Sequence, residues 1–196
     1  MTKAMVETFK DKAESVSARV YLMADLTAAL EKAVELCCAK PPLDPQMNPG
    51  EAFDADRRIM AAPNLDGAAF EKLAAACQAK GITLVKENLR QYPWGLDMGV
   101  TVADFGIAET GTLVLDSRSE ETRLATMLSE WHVAVLFTSR IRETALAMDE
   151  ELRSLTRDSG AYMAFITGAS RTADIERVLA LGVHGPLELH IMLVED

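Results

Sequence analysis

The sequence predicts an α/β fold, three layers deep (α/β/α), with a mostly parallel sheet at its centre. Three observations point there. Short apolar runs alternate with longer segments whose apolar residues recur every three or four positions, the order that builds β-α-β units. One run, "VAVLFTS" (133–139), is continuously apolar, as in a strand covered on both faces. The 196 residues, 49% hydrophobic and 26% charged, have the size and composition of a single globular domain, taken here as 1–196.

The elements follow in order. Residues 1–17 read as an amphipathic, charged helical extension, and "ARVYLMA" (18–24) as a strand. In "TAALEKAVELCCA" (27–39), Leu30, Ala33, Val34 and Cys37 keep a helical spacing, with Asp25 or Thr27 as its cap. Pro41, Pro42, Pro45 and Pro49 then break regular structure up to Gly50, so 41–50 is a surface loop. "RIMAAP" (58–63) reads as a short strand, 66–81 as a helix closed by Gly81, and "ITLVKE" (82–87) as a strand. After the strand 133–139 come a helix over 141–155, a strand at 161–167, a helix over 172–181 and a last strand at 187–194. Sheets of this kind bind ligands beyond the carboxyl ends of their strands.

Charge and composition exclude several functions. The formal net charge of -10 repels a phosphate backbone, so nucleic acid is not an expected partner. No apolar stretch is long enough for a membrane span, and the charged N-terminus lacks a signal core, so the expected location is cytoplasmic. Cys37, Cys38 and Cys77 form neither a disulfide framework nor a C-x-x-C ligand pattern, which leaves them as small buried side chains. Three separated histidines make no metal motif. His132 and His190 read as core or strand residues.

Two segments can carry chemistry. In "ADFGIAETGTLVL" (103–115), the loop Glu109-Thr110-Gly111-Thr112 sets a carboxylate and two hydroxyls beside a glycine that lets a ligand approach the main chain. A partly buried Glu109 suits general acid–base or nucleophilic work; the alternative is a hairpin in which Glu109 and Thr110 cap backbone groups. In "ITGASRTADIERVLALGVHGPLELHIML" (166–193), Thr172 is a plausible helix cap, with Asp174 in the first turn and Arg171 beside it. Free N–H groups there, with Arg171 beside them, can hold a phosphate or carboxylate, or the segment is simply a capped helix with a solvated arginine. His184-Gly185-Pro186 makes a rigid turn, and His184 can donate a hydrogen bond or proton near neutral pH.

Together "ADFGIAETGTLVL" and "SRTADIE…GVHGPLELHIMLV" resemble the LUD-domain family, which includes lactate-utilization protein C (YkgG-like) proteins. The match covers roughly 82–194. It departs from the family pattern at Gly168-Ala169-Ser170, at Ser129-Glu130-Trp131 and between Asp116 and Arg123. The resemblance implies a fold similar to the NagB/RpiA/CoA-transferase group and a role in oxidation of L-lactate to pyruvate. It also implies separate iron–sulfur oxidoreductase subunits as partners, which carry the iron–sulfur clusters, and no cofactor in this chain. It pairs the 109–112 loop with Ser170-Arg171-Thr172 and His184-Gly185-Pro186 as walls of one pocket. A self-contained enzyme acting on a small acid, a sugar phosphate or a CoA ester, and a small-anion sensor, are the alternative readings.

Overall fold

A computed structural model describes residues 2–43, 57–93, 95–157, 160–173, 179–181 and 185–196, with 171–173 and 179–181 as backbone. Six parallel strands form the central sheet: β1 (Ala18–Met23), β2 (Arg58–Ala61), β3 (Ile82–Val85), β4 (Leu96–Val102), β7 (Ser129–Phe137) and β12 (Glu188–Val194). Their order across the sheet is β1-β12-β7-β4-β2-β3.

Alternation of side chains divides the core into two layers. Met98, Val100, Val133, Val135, Met192 and Val194 face one side, where they meet α2 (Leu26–Ala39) and α3 (Gly67–Gln78). Asp25 and Asp66 cap these two helices, accepting from Ala28 N at 2.8 Å and Ala69 N at 2.7 Å. Ala134, Leu136, Ile191 and Leu193 face the other side, against Phe9 and Ala13 of α1 (Lys3–Ser15). Helix α4 (Glu120–Leu128) also lies on this second side, its Ala125 buried near β4. The α/β architecture with helices on both faces of a parallel sheet is therefore as expected.

A second, four-stranded sheet, not foreseen, joins α1 on that side. Strands β5 (Phe105–Ile107) and β6 (Thr112–Asp116) form an antiparallel hairpin. β8 (Ile141–Arg142) pairs parallel to β5, and β9 (Met163–Ile166) antiparallel to β6.

Two predicted helices are corrected. The segment 141–155 is helical only from a 3-10 turn (Leu146–Met148) through α5 (Asp149–Leu155), because Ile141 and Arg142 are taken into the small sheet beside Gly106 and Ile107. The segment 172–181 does not begin as a helix. β10 (Arg171–Ala173) pairs antiparallel with β11 (Leu179–Leu181). Thr172 is thus a strand residue and not a helix cap. Ser170 N donates to Pro186 O at 2.9 Å, drawing the two ends of this segment together, and the ladder satisfies backbone groups that a helix would otherwise satisfy. Pro45 and Pro49 of the predicted loop lie outside the described residues.

Candidate functional site

The 109–112 loop is the tip of the β5–β6 hairpin. Gly111 has φ +64°, the left-handed region, and a Cβ built on it lies 2.2 Å from Ala13 N. The loop is therefore seated on the last turn of α1, and only glycine fits. Glu109 is exposed. Its N–H donates to Glu143 O at 3.0 Å, and its Oε1 accepts from Ala145 N at 3.0 Å. The partial burial that would suit Glu109 to acid–base work is not met, and its carboxylate caps a neighbouring turn.

A line of hydroxyls runs from this loop to the end of β9. Thr110 Oγ1 and Thr112 Oγ1 are 2.7 Å apart, as are Thr112 Oγ1 and Thr167 Oγ1. Gly168 follows with φ +75°, and a Cβ built there lies 2.2 Å from Val16 O. Both glycine turns thus close on the same end of α1. Beyond them Ser170 lies against Gly185, where a built Cβ comes 3.1 Å from Ser170 Cβ.

Thr167, Gly168, Ser170, Gly185 and Pro186 line a cleft of about 530 Å³ together with His132. Thr126 and Met127 at the end of α4 also line it, as does exposed Phe165. His132 and Leu189 stand near the starts of β7 and β12, so this cleft lies toward the amino ends of those strands and not the carboxyl ends. A second cleft, of about 500 Å³, lies past the carboxyl ends of β1, β7 and β12, where Leu22, Thr138 and Glu195 meet Lys3 and Lys10 of α1. None of the sequence-predicted site residues lines it.

Of the predicted residues, Ser170 and Gly185 reach the first cleft, and Thr110 and Thr112 connect to it through Thr167. Glu109 turns to Ala145 instead. Arg171 and Thr172 adjoin Ser170 in β10, while Asp174 and His184 lie outside the described residues.

Sequence reasoning assigned His132 to the core and passed over Thr126 and Thr167. His132 is 1% exposed yet lines the cleft. Its Nε2 is 2.8 Å from Thr101 Oγ1, on the neighbouring strand β4. Burial pushes its pKa down to about 4, assisted by the charge of nearby His190, so the ring is neutral at pH 7. No local signal marks the pair, because Thr101 and His132 meet only when β4 and β7 lie side by side. His190, by contrast, is built into the α2 side of the sheet. Its Nε2 lies 3.0 Å from Glu188 Oε2, Tyr21 Oη lies 3.3 Å from its Nδ1, and the Trp131 ring is 4.8 Å away.

A second concentration of buried polarity lies at the amino edge of the sheet. Lys40 Nζ donates to Asp97 Oδ1 at 3.0 Å and Pro41 O at 2.7 Å, and lies 2.5 Å from Glu130 Oε2. Asp97 Oδ2 accepts from Ile59 N at 2.8 Å, and Arg58 donates to Lys40 O at 3.1 Å. This cluster ties α2 to β2, β4 and β7. Among the described residues no group of three or more His, Cys, Asp or Glu is placed to hold a metal ion, and no helix is long and apolar enough to cross a membrane.

The family profile of the LUD domain matches residues 6–194. The chain is 34% identical over 132 residues to the uncharacterized protein YkgG of Escherichia coli K12, covering 64% of this chain and 56% of that protein. It is 35% identical over 113 residues to lactate utilization protein C of an Exiguobacterium species, covering 56% and 49% of the two chains. With lactate utilization protein C of Halalkalibacterium halodurans the identity is 36% over 104 residues, covering 51% and 45%. The chain thus spans about half the length of the curated relatives it matches. In structure it is similar to a DUF162 family protein from Deinococcus radiodurans, with a TM-score of 0.62, 18% identity and 99% of each chain covered.

Proposed function

Because the chain belongs to the LUD-domain family, we propose that it serves lactate utilization in the cytoplasm as a non-redox component acting with separate iron–sulfur oxidoreductase subunits. The observation that carries this reading is its 33–36% identity to several proteins named lactate utilization protein C. On this reading the oxidation of L-lactate to pyruvate releases two protons to solvent and two electrons, which the clusters held by the partners would accept. The cysteines of this chain support that division of labour: Cys37 and Cys77 are buried in the α2–α3 core, and Cys38 faces outward. The part played by this chain is to hold a small anionic ligand in the cleft beside Ser170 and Gly185 or to assemble the partners.

A self-contained enzyme built on Glu109 is less well supported, since that carboxylate is exposed and already accepts from Ala145 N. The test is reconstitution of lactate-dependent dye reduction with candidate iron–sulfur subunits, with and without this protein. Loss of activity or assembly on omission supports the proposal. Undiminished activity and assembly refute it.

A further inference from the structure

Thr101 and His132 form a buried pair whose proton positions follow from their surroundings. Thr101 is fully buried, and its hydroxyl has one hydrogen-bond partner among the described residues, His132 Nε2 at 2.8 Å. A buried hydroxyl proton needs an acceptor, and the imidazole nitrogen is the one in reach. Thr101 therefore donates, Nε2 accepts, and the single proton of the neutral ring resides on Nδ1. This Nδ1 has no hydrogen-bond partner among the described residues. The open space that His132 lines is the cleft, and Nδ1 is the ring nitrogen that the Thr101 contact leaves available to it.

We propose that His132 is the group that recognises the ligand in this cleft, its Nδ1–H donating to an oxygen of a small monocarboxylate or its keto counterpart. The Ser170 hydroxyl offers a second neutral donor in the same cleft. None of the described lining residues is Lys or Arg, so this donor set suits one acceptor oxygen and not a phosphate, which is held by cations or by helix N-termini. The depressed basicity of the ring keeps it a neutral donor across the neutral range. The choice of carboxylate rests on the lactate-utilization reading; the position of the donor does not.

The experiment is long-range ¹H–¹⁵N correlation on the histidine-labelled protein, with the His132 ring assigned by its loss in His132→Phe or by the shift that Thr101→Val imposes. The ligand-free protein shows the Nδ1–H tautomer, and acetate, pyruvate or L-lactate moves the Nδ1 resonance while inorganic phosphate does not. His132→Phe, where it melts cooperatively, weakens carboxylate binding by about tenfold. An Nε2–H tautomer, or a Nδ1 resonance that no carboxylate moves, overturns the proposal. If acetate moves it and lactate and pyruvate do not, the donor stands and the lactate reading falls. If lactate oxidation requires the protein while no carboxylate reaches His132, the function stands and the donor falls.

Discussion

Gly111 lies against Ala13 so closely that a Cβ on the glycine would stand 2.2 Å from the alanine backbone nitrogen. The hairpin tip and the end of α1 therefore share one packing solution. Gly111→Ala has to leave a left-handed φ and push backbone apart, which costs on the order of 2–4 kcal/mol in chemical denaturation. Gly67, the first residue of α3, has nothing within 4 Å of its built Cβ. Gly67→Ala is the matched control, neutral or stabilising by up to about 1 kcal/mol. Equal losses at the two sites would remove the argument that the loop is seated on α1.

Acid weakens the fold through His132. In the unfolded chain the ring takes a proton at its ordinary value of 6.5, but in the folded protein only at about 4. Between these values the unfolded chain binds more protons, so stability is complete above 6.5 and declines as pH falls toward 4. The contribution lost is at most about 3 kcal/mol. His190, whose pKa burial also lowers, acts in the same direction. Urea unfolding at about pH 7.5 and about pH 5 measures the combined slope, and His132→Phe flattens it. An unchanged slope in that variant contradicts the assignment.

The Lys40 cluster is costly to break from one side. Lys40→Met leaves Asp97 and Glu130 without their shared cation, an expected loss of about 3–5 kcal/mol. Asp97→Asn keeps the contact with Ile59 N in neutral form and loses about 1–3 kcal/mol. In the double variant the losses fall short of their sum by more than about 1 kcal/mol, as for groups in one network. Strict additivity would show that the contacts contribute no coupling.

Thiol reactivity separates the three cysteines. Burial first, and the charge of Asp97 second, push Cys37 up to about 12; burial pushes Cys77 up to about 11. Cys38 is exposed. A disulfide reagent at neutral pH therefore titrates one thiol quickly in the native protein and all three after denaturation. Rapid native reaction of Cys37 or Cys77 contradicts their placement in the core.

Five of the six strands of the central sheet and the two capped helices α2 and α3 were legible because their periodicity and caps are local properties. β4, at the middle of the sheet, was not recognised. It carries Asp97 and Gly99, both poor strand residues, and each is explained only by distant partners. Asp97 meets Lys40 and Ile59, while a Cβ built on Gly99 would lie 2.4 Å from Ala125 O on α4. The same holds at 141–155: Leu146, Met148, Leu152 and Leu155 keep helical spacing, but pairing with β5 claims the start of the segment. Ser170 and Gly185, which the family resemblance pairs as walls of one pocket, both line the cleft. His132 was not legible, because its partner Thr101 lies 31 positions away, and nothing local distinguishes a cleft-lining histidine from a core one.

Val16 joins the cleft to the N-terminus of the chain: it lines the cavity, and its carbonyl closes against Gly168. Any ligand that fills the cavity presses on the segment that terminates α1, and any loosening of α1 widens the cavity. Slowed exchange of the backbone amides around residues 13–17 is therefore a remote gauge of occupancy, readable without labelling the ligand or perturbing the residues that hold it.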